Sequence, residues 1–441
     1  MKVFIETYGC QMNVNDSEVV LSILQVAGWS RCASAAEADL ILVNTCSVRD
    51  NAEQRVLGRL DVFLQEKKRR RGVVVGVLGC MAQRLKEKLL DNAAVDLVAG
   101  PDAYRDLPRL VEAVSVSGKQ VSTLLSHEET YGDIVPVRMD REGVTAFISI
   151  MRGCNNVCSY CIVPYVRGAE RSRDPRTIVR EARELVAAGY KEVNLLGQNV
   201  DSYCWVNPED ASDRVDFADL IERVAQVDPK VRVRFATSHP KDISDKLLHT
   251  MARYPNVCRH IHLPVQSGSN VMLEKMNRKY TREHYLGRIA AIRSILPDCA
   301  VTTDVIAGFC GETDADHEAT LSLFREVRYD GAFMFQYSER PGTKASRHFP
   351  DDVPGAVKTA RLNEIIALQN RISLEINSEC VGKTYEVLVE GPSKRSEAEL
   401  MGRTSQNKTC VFPAGGHKPG DTVTVRVLSC TSATLRCEIV A

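Results

Sequence analysis

Gly153-Cys154-Asn155-Asn156-Val157-Cys158-Ser159-Tyr160-Cys161 sets three cysteines at C-x₃-C-x₂-C directly after the run Thr145-Ala146-Phe147-Ile148-Ser149-Ile150-Met151. The run alternates like a half-buried strand. Three thiolates at that spacing can hold three irons of a cubic 4Fe–4S cluster, leaving the fourth iron without a protein ligand. An open iron on a reducing cluster can chelate the amino and carboxylate groups of S-adenosylmethionine (SAM) and pass one electron to its sulfonium. That chemistry belongs to the cofactor, and the protein has only to position it. Buried structural cysteines and a structural zinc site are the competing readings. Zinc usually closes with four ligands and pairs one C-x₂-C with another. The chain has no second C-x₂-C, which favours iron and sulfur.

At 441 residues the chain is long enough for two or three domains, each with its own core. With 57 basic and 57 acidic residues it has no global field to attract nucleic acid or anionic membrane, so any such contact has to be local. Fifteen cysteines without a signal peptide point to a reducing cytosol, where thiols serve metals or cores. The longest apolar stretch, Val73 to Leu78, is far below the roughly 20 residues that span a bilayer.

Residues 1–120 read as repeated strand–helix units, which predicts a parallel, right-handedly wound sheet. The expected strands are Lys2 to Glu6, Ala38 to Val43, Val73 to Leu78 and Val95 to Val98; the helices are Val14 to Ala27, Val48 to Glu66, Ala82 to Leu90 and Arg105 to Val114. Cys10, Cys46 and Cys80 each fall just past a strand. Strand carboxyl ends share one edge of such a sheet, so the three thiols should converge there on a second 4Fe–4S site with an open iron. Three unrelated core cysteines remain the alternative. Lys67-Lys68-Arg69-Arg70-Arg71 reads as a solvated helix end or an RNA-facing patch. The aperiodic stretch 121–143 reads as a linker.

Residues 144–376 carry six strand–helix units, too few for a closed eight-fold barrel, so an open partial barrel is expected with its site at the strand carboxyl ends. Tyr160, Gln198, Ser238, Gln266 and Asp304 are the candidates there for holding SAM, beside the clusters around Asn199, His239, Ser267, Ser269 and Gly311-Glu312. Loop and cap roles compete for each of them singly. From residue 378 to 441, five short alternating runs broken by glycine and proline predict a small antiparallel barrel of the oligonucleotide-binding type. Lys394, Arg395, Arg403, Asn407 and Lys408 are its candidate RNA contacts, or ordinary surface.

Together these motifs resemble the radical-SAM methylthiotransferase family over nearly the whole chain. The central cysteines look like its radical-SAM motif, Cys10, Cys46 and Cys80 like its auxiliary-cluster ligands, and the tail like its TRAM domain. Gly9-Cys10-Gln11-Met12-Asn13, Asp16-Ser17-Glu18, Asn44-Thr45-Cys46-Ser47-Val48-Arg49, Val163-Pro164-Tyr165 and Arg167-Gly168 are similar to the branch that acts on N6-isopentenyladenosine in tRNA. The resemblance implies an α/β fold in three parts: a methylthiotransferase domain over 1–120, a radical-SAM domain over 144–376 and TRAM over 378–441. It implies two clusters, with SAM serving both as source of the 5′-deoxyadenosyl radical that takes hydrogen from adenine C2 and as methyl donor. Its implied partners are the anticodon stem-loop and an electron donor of flavin or iron–sulfur type, with the chain working as a monomer. Other branches act on threonylcarbamoyl-adenosine or a ribosomal-protein aspartate, and a non-catalytic iron–sulfur RNA-binding protein is the alternative of a different class.

Overall fold

The computed structural model describes residues 1–47, 50–140 and 143–440. Val48 and Arg49, which open the expected second helix and close one of the family-like motifs, lie outside the described residues, as do residues 141 and 142 of the expected linker. Six parallel strands form the first sheet, in the order Ser30–Arg31, Lys2–Thr7, Leu40–Thr45, Val74–Gly79, Leu97–Ala99, Gln120–Ser122. Its inner strands carry apolar runs, such as Val3 to Ile5 and Leu40 to Val43, as a sheet covered on both faces requires. Helices Gln11–Val26 and Leu107–Ser117 bury one core with Val3, Leu40, Leu42 and Leu97. Helices Asp50–Arg69 and Cys80–Leu85 bury another with Ile41, Val43, Val75 and Val77. Thr7 is level with Asn44, and Thr45 with Gly79, so three adjacent strands end together.

The expected linker is packed rather than loose. Gln120–Ser122 extends the sheet, Tyr131 is buried and stacks on Tyr104 at 5.7 Å, and Ser22 Oγ donates to the Val135 carbonyl at 2.8 Å.

The central part is an open barrel built as two three-stranded parallel sheets, Thr145–Ser149, Glu192–Leu196 and Arg232–Phe235, then His260–His262, Ala300–Ala307 and Gly331–Gln336. Val233 and Val257 bridge the halves, and one continuous core lies between the strands and the outer helices. Ser244, Thr281 and Thr313 cap three of those helices through their side-chain oxygens. The helix Gly355–Ser378, which sequence periodicity does not flag, packs Ile365, Leu368 and Ile372 into the same core. It also buries Lys358, Arg361, Gln369 and Asn377, and that polar content masks the apolar stripe. The tail closes into a five-stranded barrel that is antiparallel except where Cys410 and Val411 pair in parallel with Leu435 and Arg436.

This small barrel covers the amino-terminal ends of the central strands. Arg234 donates to the Thr404 carbonyl at 2.7 Å and to Glu192 at 2.6 Å, Arg232 to the Arg403 carbonyl at 2.6 Å, and Lys408 pairs with Asp330 at 2.8 Å.

Candidate functional site

The level strand ends set Cys10, Cys46 and Cys80 on one edge. Gly9, at φ +145°, lies where any Cβ would stand 2.6 Å from Cys46 Cβ, so only glycine lets the first two strand ends approach this closely. Asn13 braces the edge: its Oδ1 accepts from the Cys10 N–H at 3.3 Å, and its Nδ2 donates to Asn44 Oδ1 and the Thr45 carbonyl, both at 3.1 Å. Cys46 and Cys80 are buried and Cys10 is exposed. A hydrogen bond from Cys46, helped by the charge of Arg167, lowers Cys10 to about 6. Burial pushes Cys80 up, against the pull of the same arginine.

Arg167 comes from the central part of the chain. Its Nη2 donates to Asp16 at 2.8 Å, while its Nη1 is buried with no hydrogen-bond partner. Asp16 is also held by Arg152 at 2.8 Å, and Arg171 is held by Asp102 at 2.8 Å, all of these side chains buried across the seam between the first and second parts.

At the central motif Gly153 sits at φ +77° with the carbonyl oxygens of Ala169 and Gly168 where a side chain would go. The thiols receive hydrogen bonds from the protein: Asn156 N to Cys154 at 3.4 Å, Val163 N to Cys161 at 3.4 Å, and Arg278 Nη1 to Cys158 at 3.2 Å. Arg278 is buried, and its other groups are fixed by the Pro264 carbonyl at 2.9 Å and Tyr280 at 3.0 Å. Burial pushes Cys154 up to about 11 and Cys161 up to about 12, so both thiols stay protonated until a metal displaces the proton.

Among the described residues no three His, Cys, Asp or Glu side chains gather tightly enough for a single metal ion. The surroundings of both triads nonetheless fit a larger anionic group. One has a fully buried guanidinium donating to a thiol, and the other has a guanidinium whose buried Nη1 lacks any acceptor. The two triads are neighbours: Ile162, which caps the short helix Val163–Arg167 just past Cys161, and Val166 within that helix pack on Cys80. Arg340, from the loop after Gly331–Gln336, is close enough for its charge to act on Cys46.

The SAM candidates divide. Tyr160 stands at the motif, its hydroxyl 3.3 Å from Arg278 Nη1. Gln198 Oε1 and its neighbour Asn199 Oδ1 are buried acceptors without partners, just past the strand Glu192–Leu196. Ser238 is buried with its hydroxyl donating to Asp201 at 3.2 Å, and burial raises Asp201 to about 7. Gln266, at φ +71°, donates its N–H to the Asp304 carbonyl at 2.8 Å; Asp304 faces the barrel interior with His262 Nε2 3.2 Å away. Ser269 and Glu312 are engaged in holding their own loops, Ser269 on Asp316 at 2.5 Å and Glu312 on Gly308 N at 2.7 Å.

Of the expected RNA contacts in the tail, Lys394 and Arg395 are exposed on the hairpin turn. Lys408 is engaged at the junction with the central barrel, and the Arg403 side chain reaches Asn407 at 3.2 Å and Glu390 at 3.1 Å. In the basic run, Lys67 pairs with Asp96 at 2.6 Å and Arg70 with the Ala38 carbonyl, while Lys68, Arg69 and Arg71 are exposed. Arg278 and Arg340 were not legible as site residues. Arg278 lies between Asn277 and Lys279, both at positive φ, in a turn with no local signature.

Residues 2–100 match the Uncharacterized protein family UPF0004, 148–324 the Radical SAM superfamily and 378–440 the TRAM domain. A solved radical S-adenosylmethionine methyltransferase, TsrM from Kitasatospora setae, shares the fold at TM-score 0.59 and 16% identity, over 89% of this chain and 79% of its own. Fold and motif thus define a radical-SAM protein carrying a TRAM barrel, a class that uses SAM and a 4Fe–4S cluster. The tRNA-2-methylthio-N(6)-dimethylallyladenosine synthase of Bacteroides thetaiotaomicron is 58% identical over 99% of this chain and 96% of its own length. Those so named in Porphyromonas gingivalis W83 and Amoebophilus asiaticus are 55% and 54% identical, over 100% and 99% of this chain and 95% and 92% of theirs. The chain belongs to the tRNA-2-methylthio-N(6)-dimethylallyladenosine synthase family. Among the described residues no helix is long and apolar enough to cross a membrane.

Proposed function

We propose that the chain inserts sulfur and a methyl group at C2 of N6-dimethylallyladenosine beside the anticodon of tRNA. The observation that carries the reading is the contact between the triads: Cys80 packs on Ile162 and Val166, within a few residues of Cys161. In this reading Cys154, Cys158 and Cys161 hold one 4Fe–4S cluster and Cys10, Cys46 and Cys80 a second. When bound, the clusters and SAM supply the electron, the radical, the sulfur and the methyl group.

The protein's part is positional. Arg278 donates to Cys158 and offsets negative charge at the central site, and Arg167, held by Asp16, does so at the other. The unpaired oxygens of Gln198 and Asn199 suit the ammonium of SAM, Tyr160 lines the same space, and Ser238, Gln266 and Asp304 shape the strand ends around it. The division into 1–120, 144–376 and 378–441 follows these roles, with the TRAM barrel gripping RNA. A flavin or iron–sulfur carrier brings the electrons, and the chain acts as a cytoplasmic monomer.

Anaerobic reconstitution tests the reading. Wild type should carry about eight irons, and the triple alanine variant of either cysteine set about four, by the stoichiometry of a cubane. Turnover with SAM and a reductant should give the methylthio product on dimethylallylated tRNA, little on unmodified tRNA, and none on threonylcarbamoylated tRNA or a ribosomal-protein aspartate. An unchanged iron count in either triple variant, or a product mainly on an excluded substrate, overturns it.

A further inference from the structure

Gly331–Gln336 is the last strand of its sheet, and among the described residues no strand pairs with its outer edge. Its side chains alternate. Ala332 and Met334 pack against the core under the helices, while Phe333 and Phe335 remain 58% and 42% exposed. Phe333 is level with Asp304 and meets His262 edge-to-face at 5.7 Å, so this face is the barrel interior, open at the edge strand. Phe335 is level with Ile306, which, like Tyr160, packs against the cluster of Met272 and Phe309. Tyr160 in turn shares Arg278 with Cys158. Apolar side chains thus line this face from the lateral opening toward the central cysteines.

Two half-exposed phenylalanines on an edge strand add little to the core and invite aggregation, which points to a ligand that covers them. We propose that Phe333 and Phe335, with Ile306, form the slot that receives the branched hydrocarbon on N6 of an RNA adenine. The inference rests on the substrate reading above and names the residues behind its selectivity. Against these ring faces the five-carbon tail finds apolar surface that the plain base does not reach. Asp304, whose neighbour here is His262, sets a carboxylate at the foot of this face. A tail ending in its own carboxylate would meet that charge, so the slot selects hydrocarbon.

The test uses full-length reconstituted protein and two synthetic anticodon stem-loops, one carrying dimethylallyladenosine and one plain adenosine, with affinities read by fluorescence anisotropy. Wild type should prefer the modified RNA by at least about tenfold, as expected for a few methylenes in an apolar slot. In F333A/F335A the preference should fall to about unity with binding of the plain RNA within about twofold, and F335L should keep most of it. Both positions are exposed, so iron content and circular dichroism should match wild type. A wild-type preference that survives in F333A/F335A overturns the slot alone, as does equal loss of affinity for both RNAs. No preference in wild type overturns the slot together with the substrate reading.

Discussion

Replacing Asp16 with asparagine should loosen the seam on which both cysteine sites depend. Burial pushes the Asp16 carboxyl up, but Arg152 and Arg167 outweigh it and hold the group below its ordinary value. Both ion pairs are 2.8 Å long and their side chains at most 4% exposed. Asparagine keeps the shape and removes the charge, leaving two mutually repelling guanidinium groups. The remaining acid near Arg152 is Asp102, 3.7 Å away and already bound to Arg171. Removing one partner of a buried network costs about 3–5 kcal/mol. At about 2–4 °C per kcal/mol this lowers the transition carrying the seam by roughly 10 °C. Anaerobic calorimetry of cluster-free and reconstituted protein reads the shift, and proteolysis within 121–143 should speed up in parallel. D16N/R152M, which removes one of the stranded cations, should recover part of the loss. A D16N transition within about 2 °C of wild type would refute the assignment of the network as the clamp.

Three further outcomes follow from the geometry. G153A, forced to φ +77° against two carbonyl oxygens, should retain about half the wild-type iron, and full iron would show that the backbone there can move. In cluster-free protein Cys10, lowered to about 6, should react with iodoacetamide ahead of Cys161, raised to about 12; mass spectrometry of peptides labelled at pH 7 decides, and equal labelling contradicts the assignment. Burial, with Arg278 and Lys241 nearby, holds His239 at about 2, so the fold prefers the neutral ring. The stability it contributes is present above pH 6.5 and drains as pH falls below it, by up to about 1.4 kcal/mol per unit, so H239Q should flatten urea midpoints between about pH 6 and 4. An unaltered acid limb would place the proton uptake elsewhere.

The strand–helix alternation made the parallel sheet and partial barrel legible, because strands buried on both faces are continuous apolar runs and amphipathic helices between them keep a 3.6-residue period. The convergence of Cys10, Cys46 and Cys80 was legible too, since strand carboxyl ends share an edge. Contacts made across the chain were not. Arg278 reaches Cys158 over 120 residues and Arg152 reaches Asp16 over 136, and an arginine surrounded by ordinary neighbours carries no mark of such a partner. Lys408 looked like a free cation in its loop because its acid, Asp330, comes from another part of the chain. The pairing of Cys410 with Leu435 was hidden for a similar reason: short alternating strands look alike whichever way they run.

The docking of the small barrel under the central one has a consequence for traffic. Arg232, Arg234, Ser405 and Lys408 seal the floor, so whatever enters or leaves the interior passes the upper rim or the side opening at Phe333. A large RNA drawn to that rim stands in the doorway that small molecules also use. Exchange of SAM then has to fall before the RNA arrives or after it lets go. The order of binding is thus written in the architecture: the small molecule comes in by an open entrance, and the RNA that follows closes it.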